Sequence, residues 1–361
     1  MMAKVNKSKR RKVIFLNFTT FVLMLEKKNL ELFRARLDTP CKIVITTHHK
    51  PDGDAMGSTL GLYHFLKSFG HDVVVITPTD YPSFLHWLPG NDLVVDFEKL
   101  PTVSIKHVNE ADFIFCLDFN ALSRINELGE HVAQAKGLKV KIDHHLLPDG
   151  FEDINFSNIK ASSTCELIYD FILEMGSSDH ITEAVANCLY VGIMTDTGSF
   201  KFESTSPHTH EVVANLLRKG AKSYEIYDQL FNQHQFRRLQ FVGFCLSNRF
   251  HYLPEYNAAY IAITAQDLKD FGISTGDTEG LESYPLTVKG IRLGALIIDR
   301  TKLVKLSLRS KGDIAVNEIC RDYFNGGGHK NASGGSSTKT LDETVQDFLA
   351  ILPKIKHLLN S

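Results

Sequence analysis

Four apolar stretches in the first two hundred residues each run out into an aspartate, and that repeated ending constrains the fold more than any other feature of the chain. Ile43, Val44 and Ile45 lead into Thr46-Thr47-His48-His49-Lys50-Pro51-Asp52-Gly53-Asp54, with Ala55, Met56, Gly57 and Ser58 behind. Phe113-Ile114-Phe115-Cys116-Leu117 ends in Asp118, and Val140-Lys141-Ile142 ends in Asp143-His144-His145. The run from Cys188 to Met194 ends in Thr195-Asp196-Thr197-Gly198. After the first loop, Leu60, Leu62, Phe65, Leu66 and Phe69 recur at helical spacing. Strand, polar turn and helix, in that order, is how an open α/β sheet displays functional groups at the carboxyl ends of its strands.

The alternation continues beyond these stretches. Val, Ile and Phe enrichment predicts strands over 42–47, 72–77, 112–118 and 139–143, with helix-like segments such as 121–135 between them. The fold class that follows is α/β, a doubly wound and mainly parallel sheet with helices on both faces. Helices are expected over 163–175 and 182–194, the first entered through a capping-box spacing from Ser163 to Glu166. At 361 residues, two domains are the better expectation. Residues 25–206 read as a metal-binding catalytic domain and 207–250, starting at Ser206-Pro207, as a helical connector. Residues 251–361 read as a smaller α/β domain across a cleft, with strands over 258–263, 291–299 and 303–308 and a closing helix over 341–359.

Residues 1–24 form a basic and then apolar extension. Lys4, Lys7, Lys9, Arg10, Arg11 and Lys12 precede an apolar run from Val13 to Leu25, like a secretory leader, but Glu26-Lys27-Lys28 follows in place of a small-residue cleavage site. The run is too short to cross a bilayer. Met24 is the expected working start, with a membrane-surface helix as the alternative reading. Six cysteines without a C-x-x-C pair read as reduced, buried thiols of a cytoplasmic protein with no membrane attachment. A net charge of −2 argues against a long nucleic-acid duplex as partner and leaves room for a short anionic substrate in a local basic pocket.

A single aspartate at a strand end is ordinarily a turn former or helix cap. Several together are different, because two carboxylates about 4 Å apart repel by roughly 4 kcal/mol at an effective dielectric of 20. Set against a folding margin of about 5–15 kcal/mol, converging aspartates require a cation. Carboxylates with two imidazoles and no thiolate suit Mn²⁺ or Mg²⁺. More than four candidate ligands imply two ions, an arrangement that serves phosphoryl chemistry.

His48-x-x-Pro51-Asp52-x-Asp54 with Ala55-x-Gly57-Ser58, then Asp118, then Asp143-His144-His145, then Thr195-Asp196-Thr197-Gly198, resembles the four motifs of the DHH phosphoesterase superfamily, in the family's order. The resemblance implies His48, Asp52 and Asp118 on one Mn²⁺, and Asp54, Asp118, His144 and Asp196 on the other, with Asp118 bridging. It places His145 beside the scissile phosphate, makes a metal-bridging hydroxide the nucleophile, and has Asp143 hold the tautomer of His144. His145, Asp118 and Asp143 are thus the expected catalytic residues. His49 and Lys50 are expected as solvated loop residues, and Thr195, Thr197 and Ser199 as turn and cap residues.

Near the C-terminus, Phe324-Asn325-Gly326-Gly327-Gly328-His329-Lys330 offers consecutive glycines that can turn backbone N–H groups inward as an anion nest. Arg309, ending a strand, suits a bidentate grip on phosphate. These segments resemble the DHH-associated C-terminal domain, and Glu279-Gly280-Leu281 and Tyr284-Pro285-Leu286 resemble its short-oligonucleotide subfamily. That resemblance implies Arg309, Gly326, Gly327, Gly328 and His329 as contacts to the phosphates and base of a nucleotide. Family II pyrophosphatases lack the glycine-histidine loop, RecJ-type exonucleases are longer, and the membrane-bound cyclic-dinucleotide phosphodiesterases carry spans that this pattern does not. The oligoribonuclease and phosphoadenosine-phosphate phosphatase type, often labelled exopolyphosphatase-related, remains. It implies a Mn²⁺-dependent exonuclease acting on short RNA or small nucleotides, with a homodimer left open. A cyclic-dinucleotide-derived or polyphosphate substrate is the rival within enzymes, and a non-catalytic nucleotide-binding regulator the rival outside them.

Overall fold

The computed structural model describes residues 27–274 and 276–360. The extension expected over 1–24, Met24 included, lies outside the described residues. The first half is built from α1 (Lys27–Leu37), β1 (Lys42–Thr47), α2 (Gly53–Lys67), β2 (Asp72–Thr77), β3 (Val95–Asp96), α3 (Pro101–Glu110), β4 (Phe113–Leu117), α4 (Leu128–Gln134), β5 (Leu138–Asp143), β6 (Ile154–Ser157), α5 (Thr164–Glu174) and α6 (Glu183–Asp196). Its six strands are all parallel, in the order β3-β2-β1-β4-β5-β6.

Strand residues alternate between two buried faces, so the strands are apolar almost throughout. Ile43, Ile45, Phe113, Phe115, Val140 and Ile142 pack into one core with Phe65, Ile168 and Leu189. Val44, Ile114 and Cys116 pack into another with Val108, Leu128 and Val132. Strand order reverses between β1 and β4, the switch point at which the loops leaving the carboxyl ends diverge and open a crevice. Thr47 pairs with Leu117 and Leu117 with Ile142, so Asp118 emerges between the loop that starts at His48 and the one that starts at Asp143.

The expected helix over 121–135 is broken. A short 3₁₀ turn covers Leu122–Ile125, Asn126 turns at φ 50°, and only then does α4 begin. The capping box expected at Ser163 is half formed: Ser163 Oγ accepts the Glu166 N–H at 3.1 Å, while Glu166 turns its carboxylate to the Ser162 and Thr209 hydroxyls.

The segment 207–250 holds three α-helices, α7 (Pro207–Arg218), α8 (Ser223–Phe231) and α9 (Phe236–Phe244), with a π-helical turn over Cys245–Arg249 after the last, and is shared between two cores. Val212, Val213, Leu216, Ile226 and Leu230 pack into the core of the parallel sheet. Phe241 and Cys245 pack with Ile261, Ile263, Leu296 and Ile298 beneath the second sheet. The chain therefore changes core at Asn232-Gln233-His234-Gln235.

The second sheet contains β7 (Phe250–Leu253), β8 (Ala258–Ile263), β9 (Leu293–Asp299), β10 (Val304–Ser310), β11 (Gly327–His329) and β12 (Ala332–Ser337), ordered β11-β12-β10-β9-β8-β7. It is mixed, with β8 and β9 parallel and the other pairs antiparallel. Helices α10 (Ala265–Asp270), α11 (Val316–Tyr323) and α12 (Leu341–Leu359) complete it. Among the described residues no helix is long and apolar enough to cross a membrane.

Helices α2 and α6 cross closely because Gly53, Gly57 and Gly61 recur every four residues along the face of α2 that meets α6. A Cβ on Gly57 would stand 2.5 Å from the Cys188 carbonyl oxygen, a rigid backbone neighbour. Gly57→Ala is therefore expected to destabilise the protein by about 1–3 kcal/mol, read as a lower denaturant midpoint. An unchanged midpoint would contradict the close crossing.

Candidate metal centre

The cluster is assembled from four loops at the carboxyl edge of the parallel sheet. Asp52 caps α2, its Oδ1 accepting the N–H groups of Asp54 at 3.0 Å and Ala55 at 3.1 Å. Its Oδ2 is left 3.9 Å from His48 Nε2. Asp54, one residue into the helix, is buried, as are Asp118, Asp143, His48 and His144. Asp118 takes the left-handed conformation (φ 64°), rare for a non-glycine residue, directly after β4.

Asp118 is the meeting point. His48 Nε2 lies 3.4 Å from its Oδ2, and His144 Nε2 lies 3.5 Å from its Oδ1. His144 Nε2 is also 3.8 Å from Asp54 Oδ2 and 3.5 Å from Asp196 Oδ2, at the end of α6. The structure thus brings together His48, Asp52, Asp54, Asp118, His144 and Asp196. His48 Nδ1 stands 2.9 Å from the His49 carbonyl and His144 Nδ1 3.4 Å from the Ala161 carbonyl. With those Nδ1–H groups donating to carbonyls, each Nε2 faces the carboxylates and, once its proton leaves, offers the lone pair a metal ligand requires.

Asp143 differs from expectation. Its Oδ1 accepts from His145 Nδ1 at 2.7 Å and from the His145 backbone N–H at 3.1 Å, so it orients His145, and the Ala161 carbonyl orients His144. Adjacent residues on an extended chain point to opposite sides, which is why Asp143 reaches its second neighbour. His49 bonds the Arg124 carbonyl and Lys50 pairs with Asp80, while Thr195 and Thr197 bond carbonyls of their own helix, as loop, turn and cap residues do.

From the second half of the chain, His329 reaches this edge. Its ring centroid is 4.7 Å from that of His145 and 4.9 Å from that of His144. Burial, together with the neighbouring His145 and His144, pushes its pKa down to about 3, so it stands neutral. Arg309, on β10, lies 3.4 Å from Glu282 Oε1. Gly327 and Gly328 do not form the expected nest, since they are strand residues paired with Gly334 and Ser333. The glycines serve a close approach of backbones: a Cβ on Gly326 would collide with the Gly334 carbonyl, and one on Gly335 would stand 2.7 Å from Phe324 Cβ.

Sequence reasoning missed Thr164 and Cys165. Their backbone N–H groups donate to Asp54 at 2.6 and 2.9 Å, and the Thr164 hydroxyl donates to Asp118 Oδ1 at 2.8 Å. A helix start after Ser163 was the available signal.

The donor set fits a divalent cation. Buried carboxylates lie together, and among the described residues no Lys or Arg stands within ion-pair distance of Asp52, Asp54, Asp118 or Asp196. Burial and the negative charge of Asp118 drive the Asp54 pKa well up, and burial raises Asp196 to about 6. Burial opposes charge on His48, yet the hydrogen bond and charge of Asp118, with Asp52 nearby, lift it to about 9. Asp54 and His48 hold their protons near neutral pH without a cation, and Asp196 does so below about pH 6; these protons must leave when a cation binds. Cation uptake therefore releases protons and tightens as pH rises through these values. The Mn²⁺ dissociation constant is expected to fall between pH 6 and pH 8, with proton release in a weakly buffered titration. Affinity independent of pH over that range would contradict this centre.

The chain is similar to known proteins. The family model described as "DHH family, N-terminal domain" matches residues 42–193, and the one described as "DHHA1 domain" matches 256–357. A Thermus thermophilus protein named bifunctional oligoribonuclease and PAP phosphatase NrnA is 33% identical over 305 residues, covering 83% of this chain and 85% of its own. The Bacillus subtilis protein of the same name is 29% identical over 300 residues, covering 81% and 88%. A solved Bacteroides fragilis structure, titled an exopolyphosphatase-related protein, superposes with a TM-score of 0.90 at 39% identity, over 94% of this chain and 100% of that one.

Proposed function

The chain belongs to the DHH family, and on that premise we propose that it is a divalent-cation-dependent phosphoesterase hydrolysing short oligoribonucleotides and 3′-phosphoadenosine 5′-phosphate. The observation that carries this reading is the convergence of buried aspartates and imidazoles on Asp118, with His329 of the second sheet against the same edge. The names of the Thermus thermophilus and Bacillus subtilis relatives support the substrate class. Six cysteines that are all buried and unpaired fit a reducing compartment, the cytoplasm.

Mn²⁺ is the proposed metal, with Mg²⁺ as substitute. His48, Asp52 and Asp118 would hold one ion and Asp54, Asp118, His144 and Asp196 a second. Bound there, such ions supply Lewis-acid stabilisation of the phosphoryl oxygens and lower the pKa of water. The side chains around them bind and orient. Asp143 fixes His145 through Nδ1, which leaves Nε2 as the ring nitrogen free to face a phosphate oxygen or the leaving group. His329, neutral at working pH, offers an N–H to the same phosphate without adding charge. Arg309, shared with Glu282 in the structure, exchanges that partner for a substrate phosphate. A net charge of −2 suits a substrate of a few nucleotides better than a long polyanion.

With Mn²⁺, turnover of a diribonucleotide and of 3′-phosphoadenosine 5′-phosphate is expected, and cleavage of pyrophosphate or polyphosphate alone would reject the reading. Asp118→Ala should abolish turnover, because both ions lose a shared ligand; near-normal rates would remove Asp118 from that role. Arg309→Ala should raise KM about tenfold or more at little changed kcat, the mark of binding lost equally from ground and transition states. An unaltered KM would take Arg309 out of the substrate site.

A further inference from the structure

We infer that Thr164 is a positioning residue for the cation centre, fixing Asp54 and Asp118 relative to each other from the start of α5, an inference that rests on the metal reading above. Thr164 is fully buried and is the first helical residue after the Ser163 cap. Through two atoms it touches two different carboxylates. Its backbone N–H donates to Asp54 Oδ2 at 2.6 Å, and its hydroxyl donates to Asp118 Oδ1 at 2.8 Å. The Cys165 N–H takes the other Asp54 oxygen at 2.9 Å.

The first N–H groups of a helix have no partner within it, and the positive end of the helix dipole favours a carboxylate there. Asp54 is such a carboxylate, supplied from another helix. Each of its oxygens has two acceptor sites and gives one to α5, so each keeps one for a cation. Asp118 follows directly on β4 in a left-handed conformation, and the threonine hydroxyl restricts rotation of its carboxylate. Threonine is stiff about χ1, so once the backbone is set, the direction of its hydroxyl is nearly set too.

The platform beneath is itself braced. Ser163 Oγ accepts the Glu166 N–H, and Glu166 Oε2 accepts hydroxyls from Ser162 at 2.6 Å and from Thr209 of α7 at 2.7 Å. Asp170 of α5 lies 3.0 Å from His208 Nε2 of α7. Helix α5 is thereby tied at one end to two of the proposed ligands and along its length to α7.

The test compares the full-length protein with Thr164→Val, Thr164→Ser and Ser163→Ala. Mn²⁺ binding is followed by isothermal titration, with thermal melting and the Mn²⁺ dependence of diribonucleotide turnover alongside. Thr164→Val keeps the shape and the backbone N–H and removes only the hydroxyl. It is expected to weaken Mn²⁺ binding by about 10–100-fold, the range found when partners of metal ligands are removed. The Mn²⁺ requirement of turnover should rise by the same factor, while substrate KM at saturating Mn²⁺ is unchanged, and Thr164→Ser should restore both. Ser163→Ala removes the helix cap without touching either carboxylate, so it should lower the melting temperature and leave Mn²⁺ affinity intact. Wild-type Mn²⁺ affinity in Thr164→Val overturns the inference. So does an equal loss in Ser163→Ala, which would trace the effect to helix stability. A wild-type protein that binds Mn²⁺ but cleaves no phosphoester refutes the proposed function alone, and the affinity comparison still decides the part played by Thr164. A wild type that binds no Mn²⁺ overturns both.

Discussion

Like charges buried side by side govern this structure. Asp54 and Asp118 approach the same imidazole from either side of the β1–β4 switch point, and Asp196 arrives at it from the end of α6. Water is largely excluded, so the repulsion among them is weakly screened. Two forms of compensation are built into the chain: imidazole nitrogens aimed at the carboxylates, and the N-terminal N–H groups of α5 aimed at Asp54. Without a cation, His48, raised to about 9 beside Asp118, carries part of the balance, and the buried carboxylates that remain suit a divalent cation.

How this cluster arises is a matter of topology. Parallel pairing of β1, β4 and β5 places three loops side by side at one sheet edge, since every strand delivers its carboxyl end there. That part was readable in the sequence, because β1, β2 and β4 each hold an unbroken apolar run, β5 alternates apolar residues with Lys139 and Lys141, and each ends in polar residues. The short strands were not. β3 is two residues long, β6 reads Ile-Asn-Phe-Ser, and β11 and β12 are mostly glycine and serine, so their pairing comes from the neighbouring strand and not from side-chain pattern. Asn126 breaks a helix whose apolar spacing looked continuous. The pairing of Asp143 with His145 in place of His144, and the grip of Thr164 on two carboxylates, depend on where separated elements meet, which local spacing does not encode.

The two sheets meet the site differently. The parallel sheet presents groups at fixed places on short loops, while the mixed sheet brings His329 and Arg309 on strands that have their own core. Between the cores the chain passes through four residues, Asn232 to Gln235, none of which belongs to either apolar cluster. The helices on each side are anchored, α7 and α8 to one core and α9 to the other. Across the two lobes His329 stacks on His145, so the second lobe contributes a ring to the edge that carries the buried carboxylates.

The glycine face of α2 carries a meaning beyond packing. This helix begins at the Asp52 cap and holds Asp54 in its first turn, whereas α6 ends at Asp196, and the two run in opposite senses with Gly53 against Thr195 and Gly61 against Leu189. The separation of their axes is therefore also the gauge between two acidic side chains. Gly192 on α6 faces Asp54 itself, where even a methyl group would intrude at 2.7 Å. Bulk introduced along that seam would spread Asp54 from Asp196 while leaving both carboxylates in place.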